Sequence, residues 1–115
     1  MSYDVYLTDE SGGYVSVPEF EDGGTYAVGG TDIATLNITY NYCEYLAPLG
    51  DGMGLEWLDG KVAQDTINPL QDLVNRLGTV QDCDYWAATP GNVGHALSVL
   101  LSWARQHPDA VWIVV

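Results

Sequence analysis

Basic side chains are nearly missing from this chain of 115 residues: Lys61, Arg76 and Arg105 stand against 16 acidic residues, for a formal net charge of −13. Three cations cannot build the phosphate-contacting patch on which nucleic-acid binding rests, so direct binding to DNA or RNA is excluded. The same deficit counts against docking on an anionic membrane surface. Long apolar runs are also missing, and no stretch approaches the roughly 18 residues of a membrane span. Met1-Ser2-Tyr3-Asp4 has neither the basic nor the apolar region of a signal peptide, which leads us to expect a cytoplasmic protein. Cysteine is scarce. Cys43 and Cys83 have no CxxC spacing and no histidine nearby in sequence, which removes zinc and thioredoxin-type readings. Two free, buried thiols are expected, with a disulfide as the alternative. The doublets Gly23-Gly24 and Gly29-Gly30 are followed by no phosphate-loop lysine and fit no dinucleotide-binding spacing, so they read as backbone turns.

Apolar and aromatic mass, by contrast, is plentiful. The chain is 47% hydrophobic, with 4 Trp and 8 Tyr, enough to build a core and to separate it from acidic disordered tails. Its length fits one domain over residues 1–115. Charged residues make up only 17%, so the anomaly is the missing sign rather than the charge density. Eleven of the acids fall in residues 1–60, which contain no Lys or Arg. Self-repulsion at this charge works against the compact state. Solubility and adaptation to high salt are two readings of it. The third is an acidic face shaped for a cationic groove that normally holds nucleic acid, since B-DNA carries a charge about every 1.7 Å of axis.

Periodicity outlines the fold. Tyr3 to Thr8 alternates, with Tyr3, Val5 and Leu7 on one side, and Tyr14 to Val17 returns after the turn at Asp9 to Gly13, which reads as a hairpin. A short strand is placed at Thr25–Val28. Thr31 to Tyr40 is the clearest strand, with Ala34, Leu36, Ile38 and Tyr40 on its apolar side; Asn37 is expected to hydrogen-bond a neighbouring strand or a partner. Leu55 to Leu58 suggests one helical turn. Two starts for the next helix stay open: a cap at Asn68-Pro69, with Gln71 completing a capping box, or an earlier start near Ala63 with a kink at Pro69. Gly78 supplies its stop. A second helix opens at Thr89-Pro90, buries Val93, Ala96, Leu97, Leu100, Leu101 and Ala104, and ends at His107-Pro108. Ala110 to Val115 is apolar on both faces, which predicts a central strand. The fold class is therefore α+β: a mainly antiparallel sheet of four or five strands with two main helices packed on one face.

No catalytic constellation stands out. His95 shares a helical stripe with Ser98 and Ser102, a pattern that reads as the polar side of an amphipathic helix in the absence of a nucleophile elbow. Asp82 and Asp84 flank Cys83 in a loop that specifies no acid–base geometry. Asp51, Glu56 and Asp59 lack the ligand periodicity of a calcium loop. No metal and no cofactor are expected. Trp57, in a Gly-rich acidic stretch, is the tryptophan to suspect as a hot spot of partner contact.

The stretches Gly23-Gly24-Thr25-Tyr26, Leu36-Asn37-Ile38-Thr39-Tyr40-Asn41-Tyr42, Tyr85-Trp86-Ala87-Ala88-Thr89-Pro90-Gly91-Asn92 and Trp103-Ala104-Arg105-Gln106-His107-Pro108-Asp109 together resemble a family of small acidic proteins of phages and prophages. The resemblance spans most of the chain but rests on framework segments, and it implies no catalytic residue. Its mobile-element setting implies an inhibitor, anti-CRISPR proteins that imitate DNA being the relevant class. The expectation is a non-enzymatic, monomeric protein that blocks target-DNA binding by a basic CRISPR effector subunit in the bacterial host. Its binding surface would comprise Asp9, Glu10, Glu19, Glu21, Asp22, Asp51, Glu56 and Asp59. The alternative is a phage interaction module whose acidity serves solubility.

Overall fold

Strand β1 (Ser2–Thr8) lies at the middle of a three-stranded antiparallel sheet, between β4 (Thr35–Thr39) and β5 (Val111–Val114). The computed structural model describes residues 2–20, 31–84 and 87–115; of residues 18–20, 31 and 32 it describes the backbone alone. The expected strand at Thr25–Val28 lies outside the described residues. Val5 pairs with Leu36 on one side and Val114 on the other, and Leu7 pairs with Trp112. All five side chains are buried, so one face of the sheet is apolar throughout.

The α+β class stands, but the sheet is narrower than four or five strands. β2 (Ser16–Phe20) and β3 (Thr31–Ile33) form a separate two-stranded ribbon. The expected N-terminal hairpin survives only at its base, where Thr8 bridges Tyr14 and the Val15 amide donates to the Leu7 carbonyl at 3.0 Å. The long strand expected over Thr31 to Tyr40 is broken at Ala34, whose amide donates to the Val15 carbonyl. That crossing lets one apolar run serve both sheets.

β5 is not central. Sequence places it inside the sheet because both of its faces are apolar, yet it forms the margin. The segment 59–63 takes the place of a further strand along its outer edge. Gly60 and Ala63 donate their amides to the carbonyls of Trp112 and Ala110, the Lys61 carbonyl accepts from the Trp112 amide, and Asp59 Oδ1 accepts from the Val114 amide at 3.0 Å. An apolar edge strand is thereby sealed by loop backbone and one carboxylate.

After β4 the chain makes a 3-10 turn (Tyr40–Tyr42), a short helix α1 (Cys43–Leu46) and a second 3-10 turn (Gly54–Leu58). Helix α2 runs Ala63–Leu77, so the earlier of the two starts is the real one and Pro69 sits inside the helix. Its apolar stripe is broad enough to override the local cap signal at Asn68. Gln71, freed from a capping role, instead accepts a hydrogen bond from the Arg105 guanidinium and donates to Asn75. Helix α3 (Pro90–Gln106) matches its expected bounds. Thr89 Oγ1 accepts from the Asn92 amide at 3.1 Å, Pro90 occupies the first turn, and all six expected core positions are buried. Gly94 lets α3 approach the end of α2 closely, since a Cβ there would overlap the Gly78 carbonyl oxygen. Among the described residues no helix is long and apolar enough to cross a membrane.

Candidate partner-binding surface

Those expected binding acids whose side chains are described sit on turns and 3-10 segments, whereas Glu44, Asp65 and Asp72 are exposed on helices. In the turn after β1, Asp9 Oδ1 accepts from the Ser11 amide at 2.9 Å, the Ser11 hydroxyl at 2.6 Å and the Gly13 amide at 3.2 Å. These bonds, the Ser11 hydroxyl first, hold the Asp9 carboxyl below the usual carboxylate range. Asp9 is thus a folding device as well as a surface charge. Glu10 beside it is exposed. Both line a recess of about 260 Å³ with Asp109, Gln106 and His107, and His107 Nε2 hydrogen-bonds the Ser16 carbonyl at 2.7 Å.

Asp51 stands exposed with a φ of 57°, a left-handed conformation that Asp tolerates better than most residues. It lines a second recess, about 310 Å³, together with Trp57, Asp72 and Arg76. Trp57 is half-buried and packed against the core. Gly50 lies directly against its indole, where any Cβ would overlap the ring, and Lys61 Nζ stands 5.4 Å from the ring centroid. The suspected hot spot is therefore mainly a packing residue, with one edge left to the recess.

Glu56 and Asp59 share a third recess of about 380 Å³, walled by Tyr3, Tyr40, Met53, Val114 and Val115. Both acids are exposed. The rings of Tyr3 and Tyr40 meet at 4.6 Å with an interplanar angle of 56°. Burial first, then the neighbouring Cys43 thiol at 3.8 Å and the Glu56 charge, push the Tyr3 phenol up to about 12. The phenol stays neutral at physiological pH.

Of the expected acids, Asp9 and Glu10 line one recess, Glu56 and Asp59 another, and Asp51 a third together with Asp72. Glu21 and Asp22 lie outside the described residues, as does the side chain of Glu19. Asp72 and Asp109, outside the acid-rich first half of the sequence, join the recesses of Asp51 and of Asp9 and Glu10. Alternation alone places Tyr40 on the apolar side of a strand. β4 instead ends at Thr39, whose Oγ1 accepts from the Asn41 amide and starts the 3-10 turn, which swings Tyr40 outward to 40% exposure.

Other side chains of interest have structural partners. Asn37 Nδ2 donates to Ser2 Oγ at 2.6 Å and Asp4 Oδ1 at 3.0 Å, across the neighbouring strand as expected. Ser98 Oγ donates to the His95 backbone carbonyl at 2.6 Å, a bond within the helix rather than to the imidazole. Asp82 Oδ1 accepts from the Asp84 amide at 2.9 Å, so the two acids form a local turn. Cys43 and Cys83 are free, but both are exposed, against the expectation of burial. Cys43 opens a short helix at the surface, and Cys83 lies in the loop before α3. No family model, curated protein or solved structure matches this chain.

Proposed function

We propose that the protein is a non-enzymatic inhibitor that presents its carboxylates to a cationic nucleic-acid groove on a basic partner. In the phage and prophage setting that the resemblance implies, that partner is a CRISPR effector, and the outcome is loss of target-DNA binding. One observation carries the reading. Asp9, Glu10, Asp51, Glu56 and Asp59 are all exposed on turns and 3-10 segments, outside the strands and helices that build the core. Only three cations offset these acids: Lys61 over Trp57, Arg76 in the recess of Asp51, and Arg105 bonded to Gln71. Such a surface steers a basic partner and gives fast, salt-sensitive association.

The test is capture from a host lysate at low and high salt, with mass spectrometry of retained proteins. A nucleic-acid-binding effector that elutes as salt rises is the expected result. A triple variant, Glu10→Gln, Asp51→Asn and Glu56→Gln, should weaken inhibition at unchanged Tm. Asp9 and Asp59 are left intact because their carboxylates bond to backbone amides. Full inhibition by the triple variant overturns the proposal.

The interaction-module reading draws on a different observation, the exposed apolar groups Tyr40, Met53 and Val115. It predicts capture that survives raised salt and is lost with Tyr40→Ala.

A further inference from the structure

The recess between Tyr3, Tyr40 and Met53 joins exposed aromatic and thioether groups to two carboxylates. Its walls are apolar and open, with Met53 63% and Tyr40 40% exposed. Its remaining lining includes two carboxylates, Glu56 and Asp59, the second oriented by its hydrogen bond from the Val114 amide. Exposed apolar surface next to fixed negative charge suits a side chain that is itself apolar along its stem and cationic at its head.

We infer that this recess receives an arginine side chain of the basic partner. Arginine fits better than lysine on three counts. Its guanidinium is planar and stacks on tyrosine faces. It is more weakly hydrated than an ammonium, so an apolar recess costs it less. Its fork can bond a carboxylate through two parallel N–H groups, and Glu56 or Asp59 supplies the acceptor. The volume of about 380 Å³ falls within the range of roughly 300–1,000 Å³ typical of ligand pockets. The neutral Tyr3 phenol adds no opposing charge and no repulsion between itself and Glu56. The inference rests on the basic partner proposed above and names the contact through which part of that partner would be held.

The experiment needs no partner and so can fail or succeed apart from that reading. The protein labelled with 15N is titrated with the blocked amino acids N-acetyl-arginine, N-acetyl-lysine and N-acetyl-norleucine methylamides. The arginine probe should shift the amides of Tyr3, Tyr40, Met53, Glu56 and Val114, and bind at least about fivefold more tightly than the lysine probe, with norleucine weaker than both. Tyr40→Ala and Glu56→Gln should each weaken the arginine probe by about tenfold, while Asp65→Asn, at an exposed position of α2 away from the recess lining, leaves it unchanged. Equal loss in Asp65→Asn means diffuse charge attraction and overturns the inference. So does norleucine binding as well as arginine, or shifts that track protein concentration and report a second copy in the recess. If the probe fails while lysate capture remains salt-sensitive, the recess is wrong and the groove-filling reading stands.

Discussion

The indole Nε1 of Trp112 donates to Thr66 Oγ1 at 2.9 Å, wholly inside the protein, and Thr66 Oγ1 in turn donates to the Ala63 carbonyl at 2.7 Å. The hydroxyl thus accepts once and donates once, and the marginal strand β5 is fastened to the first turn of α2. Replacing Thr66 by Val keeps the shape and removes the acceptor. The buried indole N–H then goes unsatisfied, at a cost of about 1–3 kcal/mol. Urea denaturation measures this as a lower midpoint at an unchanged slope.

Asn92 performs a similar service for the loop before α3. Its Oδ1 accepts from the Asp82 amide at 2.8 Å, and its Nδ2 donates to the carbonyls of Asp84 and Ala87 at 2.8 and 2.9 Å. Asn92→Ala should cost more than about 1 kcal/mol and accelerate hydrogen exchange at the Asp82 amide, while α3 retains its protection. Unchanged exchange at Asp82 would contradict this assignment.

Close packing of the two long helices depends on Gly94. Gly94→Ala forces a methyl group onto the Gly78 carbonyl and should destabilise by about 1–3 kcal/mol. Ser102→Ala, at an exposed position of the same helix, should stay within roughly 0.5 kcal/mol of the parent.

Two tyrosines make the protein sensitive to alkali. Burial pushes Tyr3 and Tyr42 up to about 12, with Asp84 adding to the effect at Tyr42. Unfolded, both phenols titrate near 10, so the unfolded chain gives up these protons first. Their contribution to stability is therefore complete below about pH 10 and disappears as pH rises towards 12. Absorbance titration of tyrosinate should show a late-ionising fraction that coincides with loss of structure, and Tyr42→Phe should reduce that fraction.

Asp9 acts at the opposite end of the scale. Its lowered carboxyl stabilises the turn above the ordinary carboxylate range, and that support is lost as pH falls through the depressed folded value. In Asp9→Asn the Gly13 amide should exchange faster at neutral pH and lose its acid-dependent step.

Helix α3 was fully legible because cap, first-turn proline, apolar stripe and stop all agree within one segment. α2 was legible in kind but ambiguous at its start, since the Asn68-Pro69 signal is local and the burial of Ala63 and Thr66 depends on β5. β5 differs from its expected place because apolar residue type on both faces does not ensure burial of both: Trp112 and Val114 are buried, but Ile113 on the other face is 37% exposed, and a loop with a well-placed carboxylate closes the strand's edge. The acids of the surface were visible as residue types, but their division among recesses depends on tertiary contacts, as does the outward turn of Tyr40 after Thr39.

Asp59 belongs to two structures at once: it closes the margin of the sheet through Val114 and borders the recess proposed for arginine. Whatever occupies that recess and draws on the same carboxylate must alter the fraying of β5, and by thermodynamic reciprocity the fraying of β5 must alter the affinity of the occupant. The Val114 amide is then a reporter placed at the junction, and its exchange rate would register a bound partner without any change in fold.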